Sequence, residues 1–199
     1  MTVFGIDLKA LIVNYGPLAV FVILFAESSF VFFLPGDSLL FVAGILVSQH
    51  LLGFWPTILL GLVGAVLGNN FGYYLGKRFG PPLFSLNRWF LFKREHVDKV
   101  QKYYEHYGPL TVVLARFIPA VRTIAPIAAG VGNMNYRSFF IYNVGGAALW
   151  LLLVTAAGYF LGRTVPNIDH YILPIIAAVI VVSFIPGTIA YVRHRLKNR

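Results

Sequence analysis

The chain has 199 residues and a mean hydropathy of +0.76, with 58% hydrophobic and only 12% charged residues, a balance that excludes an ordinary soluble domain and defines an integral membrane protein. Its net charge of +9 is concentrated beside apolar segments, so anionic lipid headgroups rather than nucleic acid are the expected partners. The absence of cysteine excludes disulfides, thiolate metal sites and cysteine nucleophiles, and neither a metal nor a cofactor is expected.

No basic cluster precedes the first apolar run, and Glu27 interrupts it, so this segment is expected to stay in the mature protein rather than be cleaved as a signal. The run extends from Pro17 to Val47 and is broken by Pro35-Gly36-Asp37. An apolar limb, a proline-containing break with charge, and a second limb too short to span predict a re-entrant helical hairpin. Asp37 doubles as a candidate cap for a helix starting at Ser38.

Phe54 to Gly76 is long and apolar enough for a full crossing, which takes roughly 20 residues. Gly64, Gly68, Gly72 and Gly76 share one of its faces and predict close helix packing; Asn69 and Asn70 fit interhelical hydrogen bonding better than substrate contact. Lys77, Arg78, Arg88, Lys93, Arg94, Lys99 and Lys102 follow in a connector at about 81–106, expected on the cytoplasmic side as an amphipathic or solvated segment.

The second broken stretch, Pro109 to Val131, carries Arg116, Pro119, Arg122 and Pro126, and its break is placed around Pro119 to Pro126. Ser138 to Gly162 and Tyr171 to Val192 are two further crossings, and Arg193, Arg195, Lys197 and Arg199 put the C-terminus in the cytoplasm.

The two broken stretches belong to a duplication. Tyr15-Gly16-Pro17-Leu18 leads to Gly72-Tyr73-Tyr74-Leu75-Gly76, and Tyr107-Gly108-Pro109-Leu110 leads to Gly158-Tyr159-Phe160-Leu161-Gly162. The expected fold is one all-α membrane domain: repeat one at about 15–78, repeat two at about 107–163, and a final helix and basic tail at about 171–199. A hairpin plus one crossing gives each repeat an odd number of crossings, so the repeats should be inverted, the first hairpin entering from outside and the second from the cytoplasm. Irregular backbone at membrane depth must be covered by protein or water, so both hairpins should face inward and bring Glu27 and Asp37 near Arg116 and Arg122.

An arginine at membrane depth needs an anion. Arg116 and Arg122 would point apart on a continuous helix, but a bend at Pro119 directs both into one cavity, where two planar forks suit phosphate oxygens. Glu27 supplies a proton site, since burial favours a carboxylate's protonated form and a nearby arginine its charged form. Asp37 is a second proton site or orients the hairpin tip. The plainer alternatives are that Arg122 snorkels to an interface, Asp37 only caps a helix, and Glu27 forms a structural ion pair.

At these residues the chain resembles the DedA family, whose members share the VTT or SNARE-associated membrane domain. The matching phrases are Glu27 with Phe33-Leu34-Pro35-Gly36-Asp37-Ser38, then Ala115-Arg116-Phe117-Ile118-Pro119-Ala120-Val121-Arg122-Thr123, then Gly130-Val131-Gly132-Asn133-Met134. The resemblance implies paired re-entrant hairpins in a bacterial cytoplasmic membrane protein that moves undecaprenyl phosphate or phospholipids with dependence on the proton motive force. It also implies functional roles for the positions of Glu27, Asp37, Arg116 and Arg122.

The expected function is therefore translocation of a phosphate-bearing lipid coupled to protons. Competing readings are a proton-coupled small-ion or drug antiporter, an intramembrane lipid phosphatase, and a structural membrane protein. The phosphatase reading lacks a nucleophile constellation, because His50, His96, His106, His170 and His194 lie in predicted loops or ends, and no enzyme is expected. Assembly as a homo-oligomer stays open.

Overall fold

The computed structural model describes residues 2–3, 6–29, 36–85, 104 and 106–164. Pro35, most of the connector, the predicted crossing Tyr171 to Val192 and the basic tail lie outside the described residues. A short antiparallel ladder, β1 (Thr2–Val3) with β2 (Ile6–Asp7), precedes the helices α1 (Leu8–Ser29), α2 (Gly36–Ser48), α3 (Phe54–Ser85), α4 (Leu110–Ala115), α5 (Pro119–Val131) and α6 (Tyr136–Thr164), and Tyr104, His106 and Tyr107 are also helical.

Two of these are long and apolar enough to cross a bilayer, α3 over Phe54–Phe79 and α6 over Tyr136–Thr164. The helix of the predicted first crossing continues past Gly76 through residues 81–85, the first part of the expected connector. By contrast α2 and α5 have 13 residues each, about 20 Å of helix, too short for a hydrocarbon core about 30 Å thick. Each ends the same way. A residue with positive φ, His50 after α2 and Asn133 after α5, turns the chain into the following long helix. Asn135 then caps α6, its side-chain oxygen accepting from the backbone N–H of Arg137 at 3.0 Å.

The break in the second pair of short helices lies earlier than proline spacing predicts. Tight i→i+3 bonds from the N–H groups of Arg116, Phe117 and Ile118 close α4, and Ile118 is extended at φ −119°, ψ 105°. The cause is the next residue: a proline pushes its predecessor out of the α region, while at the first helical position it loses no intrahelical bond. Pro119 therefore opens α5. Pro126 lies inside that helix, correcting its expected place at the break; the cost is one donor, the N–H that would have served the Arg122 carbonyl.

The packing exchanges partners between the two halves. Within each half, α1 lies on α3 and α4 on α6; across the halves, α2 lies on α6 and α5 on α3. Glycines make the exchange close enough to seal. A Cβ at Gly44 would strike the α6 backbone at Thr155, and one at Gly158 the Phe41 carbonyl. A Cβ at Gly130 would strike the α3 backbone at Tyr73, and one at Gly76 the Ile127 carbonyl. Gly64 and Gly68 face the Phe21 and Phe25 carbonyls of α1, so the glycine face of α3 serves packing as its spacing predicts.

The opposite face of α3 presents Leu59, Val63, Leu67 and Phe71 at helical spacing, all exposed, and α6 exposes Ile141, Leu149, Leu152 and Leu153. The interior gathers Leu24, Leu40, Ala65, Ala147 and Leu151 into one core together with polar groups such as Glu27, Asn69, Arg116 and Asn143. An apolar outside around a charged inside is the inverse of a soluble domain and fits a lipid surround.

Candidate functional site

Four helix ends converge on a buried cluster. Glu27 sits in the last turn of α1, Asp37 in the first turn of α2, Arg116 caps the end of α4, and Arg122 lies at the start of α5. The extended residue at Ile118 reverses what helical spacing would impose, so Arg116 and Arg122 line the same cavity with Glu27, Ser28, Asn69 and Trp150. Its accessible volume is about 10 Å³, room for about one water molecule. A larger cavity of about 190 Å³ between Tyr104, Pro109, Ala128 and Met134 has no charged lining among the described residues.

Both acids are held by one arginine. Arg122 Nη2 donates to Glu27 Oε1, and Nη1 donates to Asp37 Oδ2 at 2.9 Å. Trp150 on α6 steadies the group twice, its indole N–H donating to Asp37 Oδ1 at 2.8 Å and its ring lying 5.6 Å from Arg122 Cζ. Glu27 is 2% exposed and Asp37 45% exposed, so the cluster is open at the Asp37 side. The second oxygen of Glu27 has no hydrogen-bond partner among the described residues; it occupies the space a side chain at Gly36 would need, which explains a glycine in the Pro35-Gly36-Asp37 phrase.

Arg116 is held differently. It is buried, and among the described residues no carboxylate pairs with it. Its Nη2 donates to Asn143 Oδ1 at 2.6 Å, and its Nε has no partner among those residues. The Asn69 amide lies beside them: its Nδ2 donates to Asn143 Oδ1 at 2.9 Å, and turned over, its oxygen would accept from Arg116 Nη2 at 2.9 Å and its Nδ2 would donate to the Ser28 carbonyl at 3.3 Å. Asn143 Nδ2 donates to the Val66 carbonyl at 3.2 Å, tying α6 to α3. Gly146 lets α4 lie close on α6, since a Cβ there would lie 3.1 Å from Val113 Cα and 3.3 Å from Arg116 Cδ.

All four ionisable residues expected from the sequence thus meet, with Gly36 and Pro119 beside them, whereas Pro126 lies in the body of α5. Sequence reasoning missed Asn143, Gly146 and Trp150. Their signal was present: positions i, i+3 and i+7 place them on one face of an apolar helix, and an asparagine buried in such a helix needs a partner.

Apolar outer helix faces around a buried ion-pair cluster define an integral membrane protein with a polar interior site. Residues 34–160 match the model of the VTT domain. The chain is 45% identical to Protein DedA of Escherichia coli (strain K12) over 197 residues, 96% of this chain and 90% of that protein. It is 39% identical to an uncharacterized membrane protein of Mycobacterium leprae (strain TN), covering 86% of this chain and 78% of the relative. With Inner membrane protein YqjA of E. coli (strain K12) it shares 35% identity, over 72% of this chain and 66% of the relative. No solved structure matches. The chain belongs to the DedA family of VTT-domain membrane proteins.

Proposed function

We propose that this protein translocates a phosphate-bearing lipid across the bacterial cytoplasmic membrane in exchange for, or together with, protons. The observation that carries the reading is Arg116, a buried cation that among the described residues is hydrogen-bonded only by amides, in one cavity with an arginine that two acids hold. A buried cation that no carboxylate contacts directly is costly, so a site that keeps one is suited to receive an anion. Two guanidinium forks match a phosphate better than a carboxylate or a halide. Undecaprenyl phosphate is the favoured substrate, as the family resemblance implies, with glycerophospholipids second.

The cavity is smaller than a phosphate, so entry requires the Arg122 pairs to part. In this mechanism the headgroup takes both arginines, Glu27 leaves its ion pair and accepts a proton, and Asp37, the more exposed acid, opens first. The exchanged packing of α2 on α6 and α5 on α3 supports a pair of inverted repeats that rock about this cluster; the basic residues of the C-terminal tail support its cytoplasmic placement. The lipid tail stays in the bilayer throughout. No covalent chemistry is required of the residues named, and the protein is read as a transporter rather than an enzyme.

The cavity's small volume and the two acids on Arg122 favour one second reading, proton-coupled antiport of a small cation, in which Arg116 is structural. The two part in one experiment. Crossing of undecaprenyl phosphate is timed in reconstituted vesicles with the natural protein and with a folded Arg116→Ala, Arg122→Ala variant. Arginine-dependent crossing is expected. Crossing that is equal in both proteins sinks the lipid-phosphate reading, and crossing absent from both moves the substrate to glycerophospholipids and then to small ions.

A further inference from the structure

Resting on the anion-site reading, we infer that Asn143 is the residue that stands in for the substrate when the site is empty and sets its preference for a phosphate headgroup. The geometry is specific. Asn143 is fully buried on α6, and its Oδ1 accepts from Arg116 Nη2 at 2.6 Å, so it occupies the place an anion's oxygen takes. The interaction is charge-assisted but involves a neutral acceptor, strong enough to hold an arginine in position and weak enough for an anion to displace. A carboxylate there would pair with Arg116 as Glu27 and Asp37 pair with Arg122, and an arriving anion would have a third carboxylate to displace.

An amide also does what a carboxylate cannot: it carries donors. Displaced from Arg116, Asn143 turns its side chain and offers Nδ2, now bonded to the Val66 carbonyl, to the incoming oxygen. Asn69 sits within 2.9 Å of the same Arg116 nitrogen and can turn likewise. The arriving phosphate therefore meets two guanidinium groups and two amide donors, a set that favours many acceptor oxygens and high charge. Gly146 keeps the guanidinium against this pair by letting α4 lie close on α6. Asn143 and Asn69 are positioning residues for Arg116 that become ligands on substrate entry.

The test uses the full chain in nonionic detergent, with calorimetric binding of decyl phosphate as probe and decyl sulfate as the comparison of lower charge. The natural protein is expected to bind decyl phosphate more tightly than decyl sulfate, and Arg116→Ala to lose that binding. Asn143→Asp is expected to weaken decyl phosphate binding by about tenfold or more, because its carboxylate pairs the buried cation. Asn69→Asp, reaching the same guanidinium from α3, gives the same direction if the first variant does not fold. Arginine-dependent binding of natural strength in the folded Asp variants overturns the role of Asn143 while leaving the anion site standing. Absence of decyl phosphate binding by the natural protein, or binding that survives Arg116→Ala, overturns both.

Discussion

The unbonded oxygen of Glu27 fills the space that a side chain at Gly36 would occupy, so the acid on α1 and the glycine opening α2 exclude one another's alternatives. Any Cβ at position 36 must move the carboxylate, and the carboxylate is fastened to Arg122. Gly36→Ala is accordingly expected to destabilise the protein by about 1–3 kcal/mol and to reduce lipid transport with it. Gly145→Ala is the control: nothing lies within 4 Å of a Cβ there, and alanine in a helix is favourable, so stability should hold or rise slightly. Unfolding midpoints of the two variants in detergent check both.

Removing members of the ion-pair cluster should cost in a definite order. Arg122→Ala leaves two carboxylates without their cation and is expected to destabilise by about 3–5 kcal/mol, the most of the three. Glu27→Gln is intermediate, because Arg122 keeps Asp37 but loses its buried partner. Asp37→Asn, at the open side, should cost about 1 kcal/mol or less. Chemical denaturation of the three proteins gives the ranking; equal losses from Asp37→Asn and Arg122→Ala would show that the pair with Glu27 is not the centre of the cluster.

Charge balance in the cluster predicts a proton. Two arginines and two acids sum to neutral when the site is empty, so an arriving anion leaves excess negative charge unless a carboxylate is neutralised. Decyl phosphate binding should take up about one proton from the buffer, measured by calorimetry in buffers of different ionisation enthalpy, and Glu27→Gln should abolish most of that uptake. Full proton-dependent transport by Glu27→Gln would contradict the coupling through Glu27.

The inverted-repeat reading predicts opposite labelling. His50 and Asn133 both turn a 13-residue helix into a long crossing helix, and inversion puts the first outside and the second in the cytoplasm. The chain has no cysteine, so His50→Cys and Asn133→Cys each carry a single thiol. A membrane-impermeant maleimide should label His50→Cys in intact cells and Asn133→Cys only after permeabilisation. Labelling of both from one side rules out inversion.

The exchanged packing has its own signature. Alanine at Gly158 or Gly130 meets partner backbone rather than a yielding side chain, so each substitution should destabilise by about 1–3 kcal/mol and loosen a different helix pair, α2 on α6 or α5 on α3. Thermal melting of the single and double variants should give nearly additive losses, since the two contacts share no residue.

Much of this molecule is legible in the sequence because lipid makes polarity conspicuous. Charge buried in an apolar chain is costly enough that Glu27, Asp37, Arg116 and Arg122 stand out from the residue order alone, and the length of apolar runs together with proline distinguishes short helices from crossings. Those are local properties. What only the tertiary structure decided is non-local: that both acids hold Arg122 and amides hold Arg116, that α2 and α5 pack on the other half's long helix, that Trp150 joins the cluster, and that Pro126 is carried inside a helix. Which arginine meets which acid depends on the register of helices far apart in the chain, and that register is set by where glycines let two backbones touch.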